Sequence, residues 1–128
     1  MLPASRYLQQ NVVVQVPNYP PLRHAPTHWG LNKVELEFVA QADGTYATPL
    51  DALSQSLANG GALLLCNPHN PTGDIWSREQ LVEVATLARR HDVLVISDEI
   101  WAPLTMPGHA MTPYLSLGEE LTGPDVKF

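Results

Sequence analysis

The fold is decided by residues 61–98, which read GALLLCNPHNPTGDIWSREQLVEVATLARRHDVLVISD. The two apolar runs in this stretch, Ala62–Cys66 and Val93–Ser97, are typical of strands that are covered on both faces of a parallel sheet. Between them, Ser77 and Gln80 match a capping box, and apolar residues then recur at helical spacing. A strand, a helix and a second strand in this order predict two parallel strands with the helix packed against them.

Two more strands are predicted upstream of this unit, at Val12–Val16 and Val34–Val39. The second of these alternates apolar residues with Glu35 and Glu37, as expected at the edge of a sheet. Four strands connected largely by helices predict an α/β domain with a mainly parallel sheet.

A second helix is predicted to lead into the third strand. Thr48 is expected to cap this helix, Pro49 to occupy its first position, and Asn59-Gly60-Gly61 to end it. After Glu99, frequent proline and glycine residues predict loops and surface turns.

The composition is that of one compact soluble domain, with 128 residues of which 45% are hydrophobic and 16% charged. Thirteen acidic residues against seven basic ones give a net charge of −6, so we expect no nucleic-acid partner. Residues 1–10 show no secretory signal, and no apolar run reaches membrane-spanning length. With a single cysteine, Cys66, in a predicted buried strand, a cytoplasmic protein without a membrane partner is expected.

Polar and aromatic residues follow three of the four predicted strands. These segments are Pro17-Asn18-Tyr19-Pro20-Pro21, Asn67-Pro68-His69-Asn70-Pro71-Thr72-Gly73 and Asp98-Glu99. Ligands of open α/β sheets bind at the carboxyl ends of the strands. We therefore expect an aromatic ring, an amide and a carboxylate to meet at one edge of the sheet.

These three groups fit pyridoxal phosphate, a flat aromatic cation whose ring nitrogen must stay protonated. A carboxylate beside that nitrogen retains the proton, an amide can donate to the phenolate oxygen, and an aromatic side chain can stack on the ring. Each residue also has a simpler interpretation. Asp98 would be solvated at a strand end, Asn70 would bond its own turn, and Tyr19 would cover the edge of the core.

A family resemblance rests on Cys66–Gly73, on Trp76 and on Val95–Ile100. These segments resemble the aminotransferase superfamily of fold type I, in which the cofactor is pyridoxal phosphate. More narrowly, they resemble the cystathionine β-lyase-like C-S lyases. The similarity extends through Val12–Pro21, Asp43–Tyr46 and Leu104–Gly118.

The resemblance implies a role for each predicted site residue. Asp98 would pair with the pyridine nitrogen, Asn70 would bond the phenolate oxygen, and Tyr19 would stack on the ring. Residues 1–128 would form part of the cofactor-binding large domain, a three-layer α/β/α sandwich in which the four strands belong to a seven-stranded sheet. The intact enzyme is expected to be a homodimer that acts on an amino-acid substrate.

The resemblance also implies that the chain has no catalytic residue of its own. Relatives form a Schiff base through a lysine in a serine-rich turn, which is expected to follow Phe128, while the phosphate-binding loop would precede Met1. Neither Lys33 nor Lys127 matches that lysine, and Asp125–Phe128 resembles the strand leading to it. We expect the chain to be inactive alone.

Trp101 departs from the family pattern. Relatives usually have histidine or tyrosine three residues after the aspartate, and often aspartate where this chain has Pro103. We retain Trp101 as a cofactor-binding candidate, although an indole donates a hydrogen bond and cannot exchange a proton near neutral pH.

Three functional hypotheses remain open from the sequence. The chain could be part of a C-S lyase that eliminates across the β-carbon of sulfur amino acids, part of an aminotransferase, or a non-catalytic partner of an intact relative. A metal site is not expected, because His69 lies near Asp98 and Glu99 without a second histidine or cysteine at ligand spacing.

Overall fold

A computed structural model of the chain describes residue 7 and residues 10–122, apart from the side chains of residues 119 and 120. The elements in chain order are β1 (Asn11–Val16), α1 (Pro20–His28), β2 (Asn32–Glu37), β3 (Val39–Ala40), β4 (Tyr46–Ala47), α2 (Leu50–Leu57), β5 (Gly61–Cys66), α3 (Arg78–Arg90), β6 (Val93–Asp98) and α4 (Glu119–Thr122). Two single 3-10 turns occupy Ala102–Leu104 and Tyr114–Leu117.

The main sheet has the order β2-β1-β5-β6, and every neighbouring pair in it is parallel. The predicted α/β class and parallel sheet are therefore confirmed, and β2 lies at the edge as its two exposed glutamates predict. In register, Val13 pairs with Leu63, and Cys66 pairs with Asp98. The carboxyl ends of β1, β5 and β6 consequently lie side by side.

Alternate side chains of the strands point into two cores, one on each face of the sheet. The core that includes residues of α2 and α3 contains Val13, Leu63, Leu65, Val95, Leu53, Leu57, Leu81 and Val84. The other core contains Val12, Val14, Ala62, Leu64 and Leu94, with Tyr7 and the half-buried Leu22 of α1 packed against them. Helices on both faces make this the expected α/β/α arrangement.

The capping box of α3 forms as predicted. Ser77 Oγ accepts a hydrogen bond from the Gln80 backbone N–H at 3.1 Å, and Gln80 Oε1 accepts from the Ser77 N–H at 2.8 Å. The predicted cap of α2 is wrong. Pro49 occupies the N-cap position, and the Thr48 hydroxyl instead accepts from the buried Gln15 amide at 2.7 Å.

The predicted end of α2 is confirmed, because Gly60 donates its N–H to Leu57 O at 2.9 Å and has φ +70°. Gly61 then begins β5 with φ +102°. A Cβ at this position would lie 1.8 Å from Asn11 O, so the close approach of β1 and β5 requires glycine.

Helix α1 was not predicted, because prolines at positions 20, 21 and 26 favour a loop. Pro20 and Pro21 are compatible with the first helical turn, where backbone N–H groups have no intrahelical partner. Both Arg23 Nε and Nη2 lie 2.8 Å from the carboxylate of Glu35 on β2. Hydrogen bonds from Arg23 and Lys33 lower the pKa of Glu35 to about 2. This exposed pairing orients α1 but adds little stability.

The predicted strand Val34–Val39 is divided in the structure. Strand β2 ends at Glu37, and β3 pairs with β4 in a small antiparallel hairpin. Its turn contains Asp43, which accepts from the Thr45 N–H at 3.0 Å, and Gly44, which has φ +87°. Phe38 therefore separates β2 from β3, whereas the apolar pattern of the sequence predicts one continuous strand.

The segment after Glu99 has few regular elements, as predicted, but it does not lie entirely on the surface. Tyr114 and Leu117 are buried in the core on the α2 and α3 face. Asp125–Phe128, which resembles the strand before the family lysine, lies outside the described residues. Among the helices that the structure describes, none has the length and apolar character needed to cross a membrane.

Candidate functional site

The segment after β5 joins the ends of the two neighbouring strands. Tyr19 donates its backbone N–H to Asn70 O at 3.0 Å, and Asn67 donates its backbone N–H to Asp98 O at 2.9 Å. Because β1, β5 and β6 are adjacent, these two bonds place the predicted residues Tyr19, Asn70 and Asp98 along one edge of the sheet.

Asn67 fixes the start of this loop from inside the core. Its side chain is fully buried, and Oδ1 accepts from the Trp76 N–H at 3.1 Å. Its Nδ2 donates to Thr112 O at 3.3 Å. The side chain thus connects the loop to the segment before α3 and to the segment after β6. The residue type and spacing of Asn67 did not indicate this role.

His69 is a buried packing residue of the same loop. Its Nε2 lies 2.7 Å from Pro17 O, and its ring makes an edge contact with Phe38 at a centroid distance of 4.7 Å. Burial lowers the pKa of His69 below its ordinary value. The contact with Pro17 fixes the loop against the segment that precedes Tyr19.

The Asn70 side chain is available to a ligand. It is half-buried, and no residue in the described part of the chain forms a hydrogen bond with its amide group. The simpler interpretation, in which this amide bonds its own turn, is therefore not what the structure shows. The turn is instead closed by the Gly73 N–H, which donates to His69 O at 2.7 Å.

The Asp98 carboxylate lies at the end of β6 and is half-buried. Its Oδ1 accepts a 3.2 Å hydrogen bond from the Ile100 N–H, and none of the described basic side chains forms an ion pair with it. The neighbouring Glu99 is already engaged, since its Oε1 accepts from Ser97 Oγ at 2.9 Å and from the Tyr114 N–H at 2.7 Å. Asp98 is therefore the carboxylate at this edge that remains available to a cationic ligand.

The Tyr19 ring lies at the start of α1 and is 49% exposed. Its backbone is fixed by Asn18, whose Oδ1 accepts from the Tyr19 N–H at 2.8 Å and whose Nδ2 donates to Gln15 O at 2.9 Å. An exposed ring on a fixed backbone can stack on a ligand. If the ring only covered the edge of the core, it would be more buried.

Trp101 and Asn70 line a cavity of about 610 Å³, which we call the large cavity. Leu104 and Met106 also line it. Trp101 is 44% exposed and immediately precedes the turn at Ala102–Leu104. Neither Tyr19 nor Asp98 lines this cavity, so the structure brings Trp101 close to Asn70 but does not place all four predicted residues around one opening.

Cys66 is a buried core residue, as predicted. Its thiol donates to Pro68 O at 3.4 Å, and burial raises the thiol pKa, which opposes formation of a reactive thiolate. Within the described residues, no group of three histidine, cysteine, aspartate or glutamate side chains is arranged to hold a metal ion.

Comparison with known proteins shows a consistent set of relatives. The chain is 40% identical over 111 residues to the cystathionine beta-lyase PatB of Bacillus subtilis, which covers 85% of the chain. It is 35% identical over 94 residues to kynurenine–oxoglutarate transaminase 3 of Mus musculus, which covers 73% of the chain.

The fold is similar to that of cystalysin from Treponema denticola, whose crystal structure contains a pyridoxal 5'-phosphate cofactor. The TM-score is 0.83 at 31% sequence identity, over 92% of this chain and 31% of cystalysin.

The chain spans 28% of the length of the Bacillus protein and 19% of the mouse transaminase. The sequence model described as "Aminotransferase class I and II" matches residues 5–122, which is nearly the whole chain. The chain therefore belongs to the aminotransferase class I and II family.

Proposed function

We propose that residues 1–128 form part of the cofactor-binding domain of a pyridoxal-phosphate-dependent C-S lyase that acts on sulfur amino acids. The observation that supports this most directly is the edge formed by Tyr19, Asn70 and Asp98, which two backbone hydrogen bonds hold together. The similarity to PatB, a cystathionine beta-lyase, favours the lyase over other members of the family.

The Asp98 carboxylate fits the cationic end of the cofactor. It is half-buried, accepts one hydrogen bond and has no ion-pair partner among the described residues. A carboxylate in this state gains a charge-assisted hydrogen bond when a protonated ring nitrogen approaches. Asp98 would thus keep the ring nitrogen protonated.

The other predicted residues supply complementary contacts. The unpaired Asn70 amide can donate to the phenolate oxygen, and the exposed Tyr19 ring can cover one face of the cofactor. Trp101 shares the large cavity with Asn70, and its indole N–H can donate on the same side of the site. When bound, pyridoxal phosphate supplies an electron sink that stabilises negative charge on the substrate α-carbon.

The lysine that would attach the cofactor is absent from this edge in the described part of the chain. Lys33 pairs in register with Val12 near the start of β1, whereas the site lies at the strand ends. Its Nζ also lies 2.6 Å from Glu35 Oε1. Lys33 is therefore positioned to support β2, and the chain alone would bind the cofactor reversibly without catalysis.

Borohydride reduction tests this proposal. The purified chain is mixed with pyridoxal phosphate, reduced, digested and mapped by mass spectrometry, with a portion dialysed before reduction. We expect no stoichiometric adduct at Lys33 or Lys127 and no cofactor retained after dialysis. A stoichiometric adduct at one lysine would show that the chain does contain a cofactor-attachment residue.

An aminotransferase is the second candidate, favoured by the similarity to kynurenine–oxoglutarate transaminase 3. Both chemistries need the same contacts to the cofactor ring, so Asp98 and Asn70 do not separate them. In any longer protein that contains this chain, the reaction products distinguish the two activities. Release of a thiol without consumption of a 2-oxo acid indicates the lyase, whereas consumption of the 2-oxo acid indicates the transaminase.

A further inference from the structure

Asn59 and Gly60 lie in the short turn between α2 and β5, at the opposite end of the strand from the proposed cofactor site. The Asn59 side chain is exposed, and Gly60 follows it with φ +70°. The amide carbon of an asparagine side chain can be attacked by the backbone nitrogen of the next residue, which closes a succinimide ring. A following glycine favours this attack, because it has no Cβ to obstruct the ring and allows the widest range of backbone angles.

The other asparagines of the chain each precede a residue with a side chain. They are Asn11, Asn18, Asn32, Asn67 and Asn70. Proline follows Asn67 and Asn70, and its nitrogen carries no hydrogen and cannot close the ring. Asn32 is exposed, as Asn59 is, but its neighbour Lys33 has a Cβ and belongs to strand β2. Asn59 is thus the one asparagine of the sequence that precedes glycine.

Asp43 also precedes a glycine, in the turn of the hairpin of β3 and β4. Its carboxylate accepts from the Thr45 N–H at 3.0 Å and from Thr45 Oγ1 at 2.6 Å, and these bonds lower its pKa. An ionised carboxylate is a poor electrophile, so Asp43 is protected from the same ring closure. Asn59 has a neutral amide, and within the described ranges no hydrogen bond restrains that side chain.

One contact must break before the ring can close. The Gly60 N–H donates to Leu57 O at 2.9 Å, which holds the attacking nitrogen in place. This bond lies at the end of α2, and helix ends open locally at little cost. The net contribution of one such hydrogen bond would slow the reaction roughly two- to tenfold. The contact therefore delays the reaction without preventing it.

We propose that Asn59 is a site of spontaneous deamidation that produces isoaspartate. The Gly60 nitrogen attacks Asn59 Cγ and loses its proton to solvent, and the side-chain nitrogen leaves as ammonia. Water then opens the succinimide at one of its two carbonyl carbons. Opening at the backbone carbonyl carbon leaves a main chain that runs through the side chain, which is isoaspartate, and opening at Cγ leaves ordinary aspartate. Water is the only reactant that the chain does not itself supply.

Isoaspartate would disturb the start of β5, because it lengthens the main chain before Gly60 by one carbon atom. The next residue, Gly61, has little space, since a Cβ there would lie 1.8 Å from Asn11 O. Gly61 also pairs in register with Val93 of β6. The new carboxylate lies after the C-terminal end of α2, where the helix dipole disfavours negative charge. We therefore expect the isoaspartate form to be less stable than the parent chain.

The test is incubation of the folded chain in 18O-labelled water at mildly alkaline pH, followed by digestion and mass mapping with fragmentation that separates isoaspartate from aspartate. Uptake of the label identifies products that arise by hydrolysis of the succinimide during the incubation. We expect Asn59 to convert at least about tenfold faster than Asn32, with isoaspartate as the major product. The purified isoaspartate form should unfold at a lower urea concentration than the parent chain.

The control variant is Asn59→Gln, which keeps an exposed amide but can close only a larger ring, so it should remain unmodified. The proposal fails if Asn59 converts no faster than Asn32 in the folded chain. It also fails if Asn59 converts only after urea has unfolded the chain, because the hydrogen bond to Leu57 would then protect the site. An unchanged urea midpoint in the isoaspartate form would overturn the proposed effect on β5.

Discussion

Replacing Asp98 with asparagine should weaken the binding of pyridoxal phosphate to the chain roughly 10- to 100-fold, a loss of about 1.4–2.8 kcal/mol. The carboxylate at the end of β6 has no ion-pair partner among the described residues, so its charge is available to a protonated ring nitrogen. Asparagine has the same shape but no charge. Isothermal titration calorimetry on both proteins measures the change.

The control for this variant is Asp51→Asn, which makes the same chemical change in the exposed first turn of α2. It should bind the cofactor as the parent chain does. Equal losses in the two variants would show that net charge alone governs binding. An unchanged affinity in Asp98→Asn would exclude Asp98 as the partner of the ring nitrogen.

Replacing Asn67 with alanine should lower the free energy of unfolding by about 2–4 kcal/mol. The substitution removes two side-chain hydrogen bonds and leaves the Trp76 N–H and Thr112 O without those partners in a buried region. Urea unfolding followed by tryptophan fluorescence measures the change in midpoint and slope. Because Asn67 also fixes the loop that contains Asn70, the variant should bind pyridoxal phosphate more weakly.

Asn59→Ala provides the comparison for Asn67, because Asn59 is exposed after the end of α2. Its effect on the free energy of unfolding should stay within about 0.5 kcal/mol. A loss of similar size for Asn67→Ala would mean that the two buried hydrogen bonds do not stabilise the loop.

Local patterns in the sequence predicted the four strands of the main sheet, although β2 ends at Glu37 and Val39 belongs to a separate hairpin. The apolar runs at β5 and β6 and the capping box at Ser77 each depend on neighbouring residues. In β2, glutamates alternate with apolar residues, which indicates that one face of the strand is exposed to solvent. This alternation predicted the edge position of β2. These features need no information about distant parts of the chain.

Elements that depend on distant contacts were missed. Helix α1 forms despite Pro26 because Leu22 packs on the sheet, and the exposed pair of Arg23 and Glu35 then orients it. Thr48 has the residue type of a helix cap, but a buried amide 33 positions away uses its hydroxyl. Tertiary contacts override local preference at both positions.

The predicted site likewise has some features that the local sequence indicates and others that depend on distant contacts. Strand order alone indicated that Tyr19, Asn70 and Asp98 would lie on one edge, because carboxyl ends of parallel strands are neighbours. Residue type did not indicate that Asn67 holds the loop, since its partner Thr112 is 45 positions away. The cofactor roles of the predicted residues, including Trp101, remain predictions.

The most direct test of the cofactor site is a titration of the 15N-labelled chain with pyridoxal phosphate, with chemical shifts mapped residue by residue. The site proposed at the strand ends predicts that the largest changes occur at Tyr19, Asn70 and Asp98, with the Trp101 indole N–H also affected. Changes confined to the opposite ends of the strands, or the absence of any saturable change, would contradict a cofactor site at this edge of the sheet.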